Sequence, residues 1–447
     1  MISPPNSYGP FSTWLRSHGI AASLIVLFCA AYPRVYLAWR VDPSEVVKLI
    51  PDAGTYLFPA QSLVEQGAFL NKNGEPEVGR TPGYPAFLAI ILFIVSRDLH
   101  KALIIQAIIL SSEVLVLYLL ARRILPSLTA FIGGLLAAFS PWGAMIASVP
   151  LTEGLFLLLL SLIFLGIKHL EELRNPVAVV LGGAWVGALT SAAVLVRPVW
   201  PLVLLVAGVL FIRCGVWRKR TLVSFTLTTM VICAVTPLVF WKKRNWQERH
   251  FDGLSDVSGV AAWEYLASRV RAEVNDQDRF EVLKATELEE SSWGLSIQEA
   301  DNERWRRARV VFYEHPFLTL YCFTRSATEH IIHPSPDVLR PARLNFPGDF
   351  LTLGLLWGGL LILAYVGWIS ASNQDRTEGR VNRTWILTIL IICLLLTMMS
   401  GMSFGQGARL RTPLELIIPL MAAIGLLRVV HAFKRRYPQL DEYSPKV

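Results

Sequence analysis

The sequence predicts an all-α polytopic membrane protein of about ten transmembrane helices, with interfacial helices in its first external loop and a small external subdomain. Three observations carry that expectation. Of 447 residues, 53% are hydrophobic, more than soluble domains usually hold. Runs of roughly 17–25 residues almost free of charge recur along the chain, among them Ile20–Leu37, Leu151–Ile167, Leu351–Ile369 and Trp385–Ser400; a hydrocarbon layer about 30 Å thick needs that length. Lys and Arg collect in the short links between the runs, as they do in cytoplasmic loops.

The expected spans are 18–38, 102–120, 128–148, 151–167, 177–196, 199–212, 222–241, 350–370, 384–401 and 413–430. Residues 1–15 lack the look of a cleaved signal, so the first run reads as an uncleaved span. The stretch Pro82–Val95 is short for a span and suits an interfacial or re-entrant helix. Charge supports leaving it out. Then Arg16, Arg122 with Arg123, Lys168 with Arg174, Arg213 with Arg218, Lys219 and Arg220, Arg376 with Arg380 and Arg383, and Lys434, Arg435 and Arg436 all share one side. Both termini fall in the cytoplasm by the positive-inside rule. The chain divides into an N-terminal transmembrane module, 1–241, with an external loop at 39–101; an external subdomain, 242–349; and C-terminal transmembrane helices with a tail, 350–447. Helices are expected in the subdomain at Gln277–Glu290 and Ile297–Tyr313.

The net charge of +8 is explained by those cytoplasmic links, so no nucleic-acid partner is inferred. Five cysteines, Cys29, Cys214, Cys233, Cys322 and Cys393, show no CxxC spacing and read as packing residues. Tryptophans such as Trp39, Trp142, Trp200, Trp241 and Trp357 flank spans, as an interfacial aromatic belt does. His330 and His333, with His315 nearby, lack a convincing acidic partner and read as surface or interfacial histidines. There is no internal repeat, no low-complexity tract and no glycine-rich nucleotide loop.

The residues suited to chemistry begin just after the first span, at Asp52-Ala53-Gly54-Thr55-Tyr56. A short amphipathic helix, Leu57–Gly67, a turn at Asn71–Gly74 and then Arg80-Thr81-Pro82-Gly83-Tyr84-Pro85 follow. A carboxylate at this boundary suits a general base, and a basic residue suits a phosphate leaving group; a helix N-cap is the plainer role for Asp52. Glu153 opens a span and is either a substrate-site residue or a helix-start carboxylate. Arg197 sits in the very short link Val196-Arg197-Pro198-Val199, lining a cavity or reaching headgroups. Arg244, Arg409 and Arg411 are further candidates for a phosphate.

The ordered set resembles a family. Asp52-x-x-x-Tyr56, Ala60, Leu63, Gly67 and Arg80-x-Pro-Gly-Tyr-Pro resemble the first external loop of GT-C superfamily glycosyltransferases. Bacterial relatives of dolichyl-phosphate-mannose–protein mannosyltransferases and lipid A aminoarabinose transferases are the nearest in pattern. Leu151-Thr152-Glu153, Pro237 and Trp241 with Arg244-Asn245, Glu314-His315-Pro316, and Arg409-x-Arg411-x-Pro413 follow in family order. The resemblance implies membrane-parallel helices in the loop and a catalytic carboxylate at Asp52, with Glu153 as a second catalytic candidate. It implies substrate-binding roles for Tyr56, Arg80, Tyr84, Arg244, Arg409 and Arg411; Arg197 joins them from its position in the short link alone. Two departures stand out. The protein mannosyltransferases carry an acidic pair where this chain has Asp52-Ala53, which sets protein mannosylation apart, and Arg80 is displaced by one residue.

The function expected is transfer of a sugar from a polyprenyl-phosphate carrier to a glycolipid, polysaccharide or protein acceptor, with inversion, at the external face of a bacterial inner membrane. Membrane lipids are the other partners. No cofactor is required by the sequence, and a divalent metal stays open. The other readings are a transporter or flippase of lipid-linked glycans, which should place charges mid-membrane in broken spans, and a polysaccharide polymerase or ligase centred on a later loop.

Overall fold

A computed structural model describes residues 10–215, 219–333, 342, 349–372, 381–404 and 407–437. Arg218, Arg376 and Arg380 lie outside the described residues. The protein is all-α, and seven helices are long and apolar enough to cross a membrane: Gly19–Arg40, Leu99–Ile124, Thr152–Glu172, Pro176–Val196, Arg220–Arg249, Thr352–Ser370 and Arg383–Met402. Two further helix pairs are bent, Ser127–Ala138 with Pro141–Ser148 by 54° and Arg409–Leu416 with Ile418–Phe433 by 53°, and counting each as one span gives nine. Pro201–Arg213 and Gly83–Ile94 are shorter apolar helices. The latter is the stretch whose length argued against a crossing.

The ends of the bundle differ in chemistry. Arg123 pairs with Glu172 at 2.9 Å, and Lys168 and Arg213 both pair with Glu171, at 3.0 and 2.5 Å. Trp385 donates its indole N–H to the same Glu171 at 2.9 Å. Links that the charge pattern assigned to one side are therefore gathered in one belt. At the other end of the first two long spans, His100 meets the carbonyl of Trp39 at 3.0 Å. Both large connecting segments lie at that end and are tied together. Arg249 pairs with Glu75 at 2.6 Å, Ser255 donates to the Gly79 carbonyl at 2.5 Å, and Arg244 donates to the carbonyls of Glu77 and Phe69.

The first segment folds as short helices Pro43–Leu49, Pro51–Gln66 and Gly83–Ile94. Asp42 caps the first of these through its side chain. Gly67, at φ 66°, ends the second because the left-handed region is open to glycine. The second segment holds Arg279–Ser291 and Ile297–Glu314, near the expected positions. It also holds Pro316–Ile332 and a π-helical turn at Ala261–Ala267, which the sequence did not signal.

Close packing of the spans depends on small residues. A Cβ on Gly425 would overlap the carbonyl oxygen of Leu363, so the helices crossing there approach as backbones. Broken spans free backbone polar groups that need partners inside a membrane, and a charged network supplies them. Arg34 donates to the carbonyls of Ala30 and Ala138, at 3.1 and 3.0 Å, and faces Glu113 at 3.8 Å. Ser140, at the first break, donates to Glu415 beside the second at 2.7 Å. Arg411 lies between Trp142 and Trp357, its guanidinium carbon 4.5 and 3.6 Å from their ring centres, and donates to the His333 carbonyl at 2.7 Å.

Several expectations are corrected here. Trp142 and Trp357 are fully buried and stack on Arg411 instead of standing in an interfacial belt, whereas Trp39 and Trp200 are exposed. His330 is buried and meets the Ser403 carbonyl at 2.7 Å, so it is not a surface histidine. The cysteines described with side chains, Cys29, Cys233, Cys322 and Cys393, are free thiols.

Candidate functional site

The site grows from the start of helix Pro51–Gln66. Its N-cap position is Ile50, and no side chain caps it. Asp52, one residue inside, is thus free of the capping role and turns toward arginines. Oδ2 accepts from Nη1 of Arg409 at 2.5 Å, and Oδ1 lies 3.7 Å from Nη2 of Arg80. Arg80 also donates through Nε to the Thr55 hydroxyl at 3.0 Å and lies over the Tyr56 ring at 5.5 Å. Those two contacts come from successive positions on the first turns of the same helix, which explains why Asp52, Thr55 and Tyr56 act as one cradle for Arg80.

Glu153 reaches the same point from the start of helix Thr152–Glu172. Its side chain is 0% exposed, Oε1 accepts from Nε of Arg409 at 2.5 Å, and Nη1 of Arg197 stands 3.6 Å away. Arg197 ends helix Pro176–Val196 and lies over Phe156 at 5.8 Å. Arg409, from the start of the last broken span, therefore bridges the two carboxylates. Three arginines thus face two acids here, and Arg80 also feels the charges of Asp256 and Glu77. Burial pushes the Asp52 pKa up, but Arg409, Arg80 and Arg197 outweigh it and hold the carboxyl below its usual range.

The structure thus brings together Asp52, Tyr56, Arg80, Glu153, Arg197 and Arg409 of the expected residues. Tyr84 lies beneath them. It is fully buried, its ring meets Tyr56 edge-on at 5.6 Å, and its hydroxyl donates to Gln106 at 2.7 Å. Gln106 in turn donates to the carbonyls of Ala147 and Val149. Arg244 stands apart, stacked on Trp241 at 4.9 Å and anchoring the 69–77 stretch. Arg411 stands apart as well, inside the tryptophan pair.

One residue of the site carried no sequence signal. Tyr265, in the π-helical turn of the second connecting segment, comes close enough to Asp52 and Arg409 for both charges to act on its phenol, although burial does most to raise its pKa. Its ring packs edge-on against Phe404 at 5.9 Å. π-turns often sit at functional sites, but this one has no motif to announce it.

The donor set bears on a metal. Asp52 and Glu153 are the acids at hand, and their facing oxygens are already engaged by Arg80, Arg197 and Arg409. Such a pair fits an anion near its arginines better than a divalent cation between its carboxylates. Among the described residues, no three His, Cys, Asp or Glu side chains group as a metal site.

No protein-family model matches the chain, and no curated protein matches it either. Solved structures do. The oligosaccharyltransferase of Archaeoglobus fulgidus in its apo form is 15% identical, with a TM-score of 0.52 over 94% of this chain and 52% of that one. The same enzyme in complex with Zn and sulfate gives 13% and 0.51, over 92% and 50%. The chain shares its fold with that oligosaccharyltransferase. At such identities the likeness establishes the fold alone, and the chain spans about half the length of the oligosaccharyltransferase structures it matches. ArnT from Cupriavidus metallidurans bound to undecaprenyl phosphate also matches, 14% identical over 96% of this chain and 80% of that one, at a TM-score of 0.38; that score is too low to support an argument. Within this fold, the arginine-bridged acids lie at the end of the bundle where the two large connecting segments meet.

Proposed function

We propose that the protein is an integral-membrane glycosyltransferase that moves a sugar from a polyprenyl-phosphate carrier to a glycolipid, polysaccharide or protein acceptor, working at the external face of a bacterial inner membrane. The observation that carries this reading is the Asp52–Arg409–Glu153 bridge flanked by Arg80 and Arg197. The guanidinium groups of Arg80 and Arg197 at its edge suit a phosphate, and Asp52, 36% exposed, is the carboxylate open to an acceptor. The acceptor oxygen bonds to the anomeric carbon while the bond from that carbon to phosphate oxygen breaks. The electron pair leaves with the lipid phosphate, held by Arg80 and Arg197, and the hydroxyl proton passes to Asp52. A carboxylate with a lowered pKa is a weak base, so proton transfer comes late, once the attacking oxygen has become acidic. One displacement inverts the anomeric centre. A phosphate leaving group needs little acid help, so one carboxylate suffices at the hydroxyl and Glu153 fixes Arg409. The archaeal oligosaccharyltransferase has also been solved in complex with an inhibitory peptide and a dolichol-phosphate, a lipid of the same class as the carrier proposed for this chain.

A second reading has its own observation. Buried Arg411 and Glu415 belong to the second broken span, and Arg34, paired with Glu113, reaches the Ala138 carbonyl at the first; charges at broken spans are the arrangement expected of a transporter of lipid-linked glycans. Proteoliposomes loaded with a labelled polyprenyl-phosphate sugar and acceptor separate the two. Transfer releases polyprenyl phosphate and labels the acceptor. Transport moves the intact sugar lipid between leaflets, and that result without cleavage would replace the transferase reading.

A further inference from the structure

At the bundle end opposite the Asp52 cluster, the first two long spans leave a groove of about 370 Å³ between them. Its walls are Leu24 and Leu27 of helix Gly19–Arg40 and Leu115 and Leu119 of helix Leu99–Ile124. These residues recur one turn apart, so the apolar strip runs along the helix axes, as an acyl chain would. The groove closes on a polar tip. The Arg122 guanidinium folds over the start of the first span, so near that a Cβ on Gly19 would lie 2.6 Å from Nη1. Ser23 stands one turn further in, donating to the Gly19 carbonyl at 2.8 Å. Arg122 differs from its neighbours in the basic belt. Arg123, Lys168 and Arg213 each pair with Glu171 or Glu172. Among the described residues no carboxylate pairs with Arg122; its contact is the Tyr118 ring, 5.8 Å from the guanidinium carbon.

We infer that this groove is a binding site for one anionic phospholipid, its phosphate on Arg122 and an acyl chain along Leu24, Leu27, Leu115 and Leu119. Charge complementarity selects the occupant. A cation left without a protein counter-charge at the level of lipid headgroups is matched by an anionic one, and the start of a helix adds partial positive charge at the same spot. Gly19 is the residue that lets the guanidinium fold inward over the groove. The site is independent of the transferase reading, because it lies at the far end of the bundle from Asp52.

The test is native mass spectrometry of the full chain released from nanodiscs made with equal parts of phosphatidylglycerol and phosphatidylcholine of the same acyl chains. The expected result is one retained phosphatidylglycerol per chain, falling about five-fold in Arg122→Gln, the worth of one cation at an anionic surface. Arg123→Gln, whose partner is Glu172, should retain the lipid. Leu119→Trp fills the groove from its apolar wall and should also expel it, which covers the case of an Arg122 variant that folds poorly. Equal retention of both lipids, or retention unchanged in Arg122→Gln and Leu119→Trp, overturns the site. Preferential capture of polyprenyl phosphate, when that lipid is added in equal amount, overturns the choice of occupant.

Discussion

Replacing Arg409 by methionine isolates what its bridge contributes. Glu153, 0% exposed, would keep Arg197 at 3.6 Å and the Thr152 hydroxyl at 3.2 Å. Removing one partner of a buried ion pair costs about 3–5 kcal/mol, because the remaining charge is stranded. Arg197 is still near, which places the Glu153 half toward the lower end of that range. The Asp52 half adds at most about 1 kcal/mol, since Asp52 is 36% exposed and solvent screens it. Arg409→Met should therefore lose about 3 kcal/mol of stability. The sharper figure is the coupling. Glu153→Gln removes the stranded charge, so the double variant should recover about 2 kcal/mol relative to the sum of the single changes. Denaturant unfolding in a mild detergent, followed by tryptophan fluorescence on parent, both singles and the double, measures this. Additive losses would refute the bridge as the structure draws it.

Other outcomes follow from the same contacts. Tyr84→Phe leaves the buried Gln106 carbonyl oxygen without its donor and should cost about 1–3 kcal/mol, read in the same unfolding assay. Gly425→Val drives a side chain into the Leu363 carbonyl and should destabilise by about 1–3 kcal/mol, lowering the yield of monodisperse protein on size exclusion. In the second large connecting segment, burial and the charge of Glu290 push the Glu264 pKa up to about 8 from an ordinary 4.5. The folded chain then keeps a proton that the unfolded chain has released, so stability falls as pH rises from about 4.5 to about 8. Glu264→Gln should flatten that slope in thermal unfolding measured at pH 5 and pH 8; an unchanged slope would show that Glu264 does not set it.

Much of the fold was legible because bilayer thickness imposes a length that composition reveals. Charge asymmetry did the rest: the links gathered by the Glu171 and Glu172 belt are those the basic residues had assigned to one side. The two bent pairs read as ordinary spans, since Ser140-Pro141 and Pro419 interrupt helices without interrupting hydrophobicity. Asp52, Arg80, Glu153 and Arg409 were named from short motifs and Arg197 from its very short link, but nothing in sequence could show that Arg409 joins two acids from distant parts of the chain. The buried network was missed although its signal was present. Arg34 and Glu113 are lone charges within apolar runs, and such charges need a partner inside the membrane. Trp142 and Trp357 misled for a related reason, because a tryptophan near a span end has the same sequence signature whether it faces headgroups or a buried guanidinium. Tyr265 depended on a π-turn in a polar segment, where periodicity carries no information about what the turn points toward.

The Asp52→Asn protein gives the most direct test. It would be made alongside the parent, with both shown to unfold at matching denaturant midpoints, and each would receive a single turnover of polyprenyl-phosphate sugar with acceptor. Loss of the proton acceptor should slow sugar transfer by about 10²–10⁴-fold, with donor binding retained through Arg80 and Arg197. Transfer at the parental rate by the asparagine protein would contradict the assignment of Asp52 as the group that takes the acceptor's proton.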